Sequence, residues 1–378
     1  MPQDNRLIWL DALRLTAGVS MIGLHATADS TGQPWVDFSM AERTGPLLLR
    51  AVIYTARTEL FLMISVFLLL MAQDRSPRSY GVTMAQQARR LLIPFLFWTV
   101  FYTFFSLIKA GVFGYQNTLL EALTKPETWA DYLLLGGSKY HMHFIPTLFG
   151  LLLIFPLFKL ATKMPTLGLT VLVCLVTKRE IDSFLWNTFY AADWLPFALR
   201  AAKILTYAGY GMVAGTAYGL WSAAREGRLA QWVPLLGYLG GLLFAIKLIA
   251  TYKTVQTGAW PYTYTPAYYA DFLMPVLLFG TAMALGHKGW PVLLSRIAPY
   301  SFGIYLCHPI FLDMFEIALK DQTLTPISQV CIKIAGSALL TSILVWALAR
   351  FRPLAWTIGM GPLPGFTKRP KRKVSHAV

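Results

Sequence analysis

The chain has 378 residues, of which 56% are hydrophobic and 13% charged, and its formal net charge is +15. Soluble domains are nearer a quarter charged, so this balance excludes an ordinary soluble enzyme and indicates a protein that crosses a membrane many times. The excess of lysine and arginine does not call for nucleic acid, because membrane lipids with anionic headgroups are a sufficient partner.

Stretches of roughly 20 mostly uncharged residues occur near residues 7–27, 47–71, 91–112, 143–161, 166–177, 202–221, 232–252, 267–286, 298–318 and 328–349. They predict an all-α fold, a polytopic membrane helical bundle of about ten transmembrane helices. The fifth stretch, around Leu167 to Val176, is too short to cross upright by itself. Basic residues offer a second reading of the same pattern. Arg75, Arg78, Arg89 and Arg90 follow the second stretch, and Lys159 with Lys163, Arg225 with Arg228, and Lys288 with Arg296 follow alternate ones. Short cytoplasmic loops accumulate positive charge, so this alternation predicts both termini in the cytoplasm and requires the fifth span. The mixed-sign groups Glu121, Lys125, Glu127, Asp131 and Lys178, Arg179, Glu180, Asp182 then fall in opposite loops.

We expect residues 1–352 to form one membrane domain and residues 353–378 a basic cytoplasmic tail, with the run KRPKRK from Lys368 to Lys373 facing lipid. The first apolar segment lacks a cleavage site of small residues and reads as a retained anchor. Cys174, Cys307 and Cys331 all lie in apolar segments and read as small core residues, not as a disulfide or metal framework.

Ionisable residues at membrane depth are functional candidates by default. In the first segment, LIWLDALRLTAGVSMIGLHAT, Arg14 and His25 are eleven residues apart. On an α-helix that spacing brings them within about 20° of one face and separates them by roughly 16 Å along the axis. Asp11 precedes Arg14 by three residues and can pair with it. In ARTELFLMISVFLLL, Glu59 adjoins Arg57, which permits either a local ion pair or a carboxylate that orients a histidine. Arg89 and Arg90 open the third stretch, with Pro94 close behind, and arginine forks suit phosphate. His141 and His143 in KYHMHF have no local carboxylate or cysteine, so no metal site is expected. His308 precedes Pro309, whose missing N–H frees a backbone carbonyl inside the ninth stretch. In the predicted topology the histidines and Glu59 gather in the outer half, and the three arginines in the inner half.

At these positions the sequence resembles the acyltransferase-3 family of integral membrane acyltransferases. The resemblance rests on Arg14, ten residues and His25; on ELFLMISVFLLL, RRLLIP, HFIPTLFGLLLIFPLF and YSFGIYLCHP; and on their order along nearly the whole chain. Val66 departs from the usual glycine in the second of these. The resemblance implies an O-acyltransferase that takes an acyl group, usually acetyl, from cytoplasmic acetyl-CoA or another acyl-CoA to a sugar hydroxyl of an exported polysaccharide. It makes Arg14 and His25 the functional pair and assigns Arg89 or Arg90 to a cytoplasmic arginine motif. The residues fit that chemistry. His25 serves as general base or transient acyl carrier with Glu59 as its orienting partner, Arg14 lines the path to the thioester, and Arg89 with Arg90 holds the CoA phosphates. His143 and His308 stand on the acceptor side. The expected setting is the bacterial inner membrane, with a polysaccharide or lipid-linked oligosaccharide acceptor and polysaccharide assembly proteins as partners. A secondary transporter for an anionic or sugar-like solute is the alternative, although no duplicated halves are visible in the sequence.

Overall fold

The computed structural model describes residues 7–225 and 227–363, and among them every regular element is helical. In chain order they are α1 (Ile8–Ala26), α2 (Met40–Ile53), α3 (Thr58–Arg75), α4 (Tyr80–Phe113), α5 (Gln116–Leu123), α6 (Pro126–Ala130), α7 (Phe144–Leu153) and α8 (Phe155–Lys163). The second half continues with α9 (Thr170–Phe189), α10 (Leu195–Thr206), α11 (Ala208–Ala223), α12 (Val233–Thr257), α13 (Thr265–Ala284), α14 (Leu293–Ile297), α15 (Ser301–Leu319) and α16 (Pro326–Arg350).

Local chemistry fixes several boundaries. Ser39 and Glu42 form a reciprocal capping box at the start of α2, the Ser39 amide donating to Glu42 Oε2 at 3.0 Å. Ser79 caps α4, and Gly114, at φ +81°, ends it in the left-handed conformation that glycine adopts without penalty. Because α4 begins at Tyr80, Arg89 and Arg90 stand well inside the helix instead of opening it, and Pro94 lies deeper still.

By length and apolarity, six helical stretches of the described residues can cross a membrane, or seven if the bent pair α7 and α8, kinked by 64°, is one span. The polytopic all-α bundle is as expected, while the number of helices that pass this test is below the expected ten or so. The shortfall has physical causes. α1 carries Asp11, Arg14 and His25 within 19 residues, a polarity tolerable because it is enclosed by α2, α3, α13, α15 and α16. The predicted sixth span is divided between α10 and the 16-residue α11. The predicted fifth span is the start of a 20-residue helix, α9, in which Lys178, Arg179, Glu180 and Asp182 are helical and not in a loop.

The outward faces of α12 and α16 are apolar, with Leu242, Ile249, Leu339, Ile343 and Trp346 exposed, as lipid contact requires. Inside, contact is close where side chains are small. Gly211, Gly215 and Gly219 recur every four residues along α11, where Phe158 and Thr162 of α8 occupy the space a Cβ would take. Val66, in place of the glycine usual in the resemblance, is fully buried. Of the cysteines, Cys307 is buried and Cys174 half-buried, but Cys331 is exposed on α16 and so is not a core residue. The chain stays packed beyond residue 352. Thr357 and Ile358 are buried, and Trp98 Nε1 of α4 donates to the Thr357 carbonyl at 2.7 Å. The KRPKRK run lies outside the described residues.

Candidate active site

The last turn of α1 leaves carbonyls without helical partners, and side chains from three other segments satisfy them. Arg50 of α2 donates from Nη1 to the Leu24 carbonyl at 2.6 Å and to Thr27 Oγ1 at 3.3 Å. Trp35 Nε1 donates to the Thr27 carbonyl at 2.9 Å, and Lys333 of α16 to the Ala28 carbonyl at 2.7 Å. Cations at a helix C-terminus also answer the helix dipole. His25 therefore projects from a helix end pinned on several sides.

Its ring lies on Tyr140, with centroids 3.9 Å apart, and stacks beside His308 of α15 at 5.9 Å. His141 completes the group, 5.2 Å from His308 and held edge-on by Tyr102 at 5.3 Å and Tyr305 at 5.2 Å. The Tyr305 hydroxyl donates to the His141 carbonyl, and the Tyr102 hydroxyl donates to the Leu306 carbonyl at 2.5 Å, which ties α4 to α15.

Pro309 explains the state of His308. A proline removes the hydrogen bond that its N–H would have given to the carbonyl four residues back, which here is that of Tyr305. His308 Nδ1 takes up this freed carbonyl at 2.8 Å. A carbonyl can only accept, so Nδ1 carries a proton, and in the neutral ring Nε2 then holds the lone pair. Nε2 of His308, Nε2 of His25 and both ring nitrogens of His141 are buried without a hydrogen-bond partner. Four such atoms are expensive, since each unmet buried polar group costs about 1–3 kcal/mol. The arrangement suits a site that a polar reactant completes. Among the described residues, no group of three His, Cys, Asp or Glu side chains is disposed to hold a metal ion.

A buried chain of charges flanks the cluster. Lys139 pairs with Asp313 of α15, which also faces Lys109 at 3.6 Å, and Lys109 in turn pairs with Glu316. The Lys139 ammonium lies over the Tyr140 ring at 5.4 Å, so the chain braces the tyrosine on which His25 rests.

Toward the N-terminal end of α1, Arg14 lies 3.7 Å from Asp11, as the three-residue spacing suggested, and Ser295 Oγ donates to Asp11 at 2.8 Å. Arg14 and Arg90 line one cavity of about 170 Å³ together with Ser65, Gln87, Phe61 and Phe144. A neighbouring cavity of about 230 Å³ is lined by Arg89 and Arg90, so Arg90 faces both. Two aromatic contacts lead from the first cavity to the histidines: Phe61 is 6.0 Å and Phe144 5.5 Å from Tyr305, which adjoins His141 and His308.

The structure thus brings His25 to His308 and Arg14 to Arg90. Among the described residues Glu59 makes no hydrogen bond to a histidine. Its carboxylate takes Arg57 at 3.1 Å and the Tyr207 hydroxyl at 2.7 Å, which is the local ion pair and not the orienting partner of a histidine. His143 also turns away, its Nδ1 bonded to the Tyr140 carbonyl at 2.7 Å and its own carbonyl accepting from Arg200 at 2.5 Å. His141, to which sequence reasoning gave no role, takes the place next to His308. The tyrosines and the Lys139–Asp313 pair were missed as well. The one local signal among them was the four-residue step from Tyr305 to Pro309.

No curated protein and no solved structure shows a significant match to the chain. The family model described as an acyltransferase domain, that of acyltransferase-3, matches residues 7–346, which covers α1 and nearly all of α16 together with both ends of the site. With the helical architecture and the Arg14–His25 helix at its centre, that span makes the chain a membrane acyltransferase of the acyltransferase-3 family.

Proposed function

We propose that the protein moves an acyl group, acetyl foremost, from an acyl-CoA bound at the arginine end to a sugar hydroxyl of an exported polysaccharide or its lipid-linked precursor at the histidine end. The observation that carries this reading is the set of unpartnered imidazole nitrogens lying two aromatic contacts from a cavity that holds two arginines. Arg90, reaching both cavities, and Arg89 supply the planar forks that bind phosphate. The acyl-CoA supplies an activated thioester at the end of a long uncharged arm, so phosphates and thioester need not lie together. His25 Nε2 accepts the proton of the sugar hydroxyl as its oxygen attacks the thioester carbonyl, and the departing thiolate is protonated in turn. His308 Nε2 and His141 stand where they can pass that proton on.

Transfer of labelled acetyl from acetyl-CoA to polysaccharide in membrane vesicles tests the reading, and a transporter would leave the polysaccharide unlabelled. In the same assay, Arg90→Gln should raise the apparent KM for acyl-CoA by roughly tenfold or more, because charge-assisted contacts contribute about 1.5–3 kcal/mol each. Arg89→Gln, which touches one cavity only, should raise it less, and lysine replacements less again. An unchanged KM in both variants would reduce the arginines to determinants of membrane orientation.

We further propose the bacterial inner membrane with both termini cytoplasmic, which puts the histidines at the outer face. In a background freed of the exposed Cys331, cysteines introduced between Tyr115 and Lys139 should react with an impermeant reagent in intact cells. Those introduced between Gln73 and Ser79 should react only after permeabilisation. Reversed labelling would turn the histidine end toward the cytoplasm.

A further inference from the structure

Another cavity, of about 430 Å³, opens beside the pinned end of α1 between α2, α12 and α13, and the mechanism makes no use of it. Its wall includes Arg50, Tyr54, Arg57, Lys247, Trp260 and Asp271. The volume falls in the range of small-molecule sites, roughly 300–1,000 Å³. The charges are not balanced one for one. Lys247 pairs with Asp271, and Arg57 is shared between Asp271 at 3.8 Å and Glu59 at 3.1 Å. Arg50 makes no direct ion pair among the described residues, Asp271 acting on it only from longer range. Its hydrogen bonds go to a carbonyl and a hydroxyl, and its guanidinium lies over the rings of Trp260 at 4.4 Å and Tyr54 at 5.3 Å. A cation with Asp271 only at longer range and no carboxylate at ion-pair distance, set among aromatic faces in a pocket of this size, matches an anionic group carried on a flat apolar face. A sugar ring bearing a carboxylate has both parts: the carboxylate suits the fork, and the C–H face of the ring suits the indole and phenol.

We infer that this cavity is the acceptor subsite and that it selects an acidic saccharide, one with a uronate residue next to the hydroxyl to be acylated. The inference rests on His25 being the reaction centre, since Arg50 bonds the carbonyl of Leu24, the residue before His25. A carboxylate held on the far side of Arg50 would thus lie one side chain from the turn that carries the imidazole.

The test is calorimetric titration of the protein in nanodiscs of zwitterionic lipid, without donor, using a glucuronate-containing trisaccharide and its carboxyl-reduced neutral counterpart. The acidic sugar should bind at least about tenfold more tightly, and Arg50→Gln should abolish the difference. Asp271→Asn, which removes the one carboxylate of the wall, should tighten acidic binding severalfold, a gain that misfolding could not produce. Equal binding of the two sugars, or a preference that survives in Arg50→Gln, overturns the inference. So does loss of binding when phosphatidylglycerol is added to the nanodiscs, because the cavity is then a lipid headgroup site. Because the readout is binding alone, an acidic preference without acetyl transfer would sink the catalytic reading and leave the subsite standing. Transfer that ignores the charge of the acceptor would do the reverse.

Discussion

His25→Ala is expected to lose acyl transfer by at least about 10²–10⁴-fold, the contribution usual for a positioned acid–base group, while still inserting and folding. The imidazole has one nitrogen buried without a partner, so removing it relieves an unmet polar group as well as deleting ring contact with Tyr140 and His308. Stability should therefore change by no more than about 1–3 kcal/mol in either direction. His25→Gln is the stricter variant, since it keeps hydrogen-bonding capacity and much of the shape but cannot titrate, and it should be nearly as inactive. Acetylation close to the wild-type level by an inserted His25→Ala protein would falsify the mechanism. A partial loss in His308→Gln and His141→Gln, smaller than that at His25, is the companion result. Those two rings touch the cluster without being the member carried on the same helix as Arg14.

What could be read from the sequence was whatever a helix makes periodic. A spacing of eleven residues puts Arg14 and His25 on one wall because α1 is regular, and Asp11 found Arg14 because three residues is nearly one turn. The fold class and the membrane setting followed from composition on the same grounds. The failures have a common cause. His141 and His143 lie just ahead of α7, where no period says which of two neighbours turns inward, and the bond from His143 Nδ1 to the Tyr140 carbonyl decides it. The Lys139–Asp313 and Lys109–Glu316 pairs span 174 and 207 residues and exist only once α4, α15 and the approach to α7 are packed together. Glu59 was ambiguous because its partners are of different kinds, Arg57 and Thr58 being neighbours in sequence and Tyr207 lying 148 residues away. Helix number failed for the opposite reason. Hydropathy counts charges without regard to what encloses them: α1 carries Asp11 buried among other helices, and α9 buries Lys178 while leaving Glu180 exposed.

The buried charge chain leads to the other large effect. Asp313 is 1% exposed, and its carboxylate is the partner of Lys139 and lies 3.6 Å from Lys109. Asp313→Ala leaves Lys139 as an uncompensated charge in an enclosed place, which typically costs about 3–5 kcal/mol. On a protein of ordinary marginal stability, about 5–15 kcal/mol, that should appear as a marked fall in the thermal midpoint of the purified protein. Lys139→Met combined with Asp313→Leu should recover most of the loss, because no lone charge then remains and Lys109 still has Glu316. Activity should not recover to the same extent. Lys139 lies over Tyr140, and Tyr140 is the ring on which His25 rests, so a stable double variant lacks the cation that braces that tyrosine and should show a lower kcat with little change in the KM for acyl-CoA. Equal recovery of stability and kcat would make the pair a packing device alone, and an undiminished midpoint in Asp313→Ala would mean that Lys139 reaches water and that the histidine cluster is open on that side.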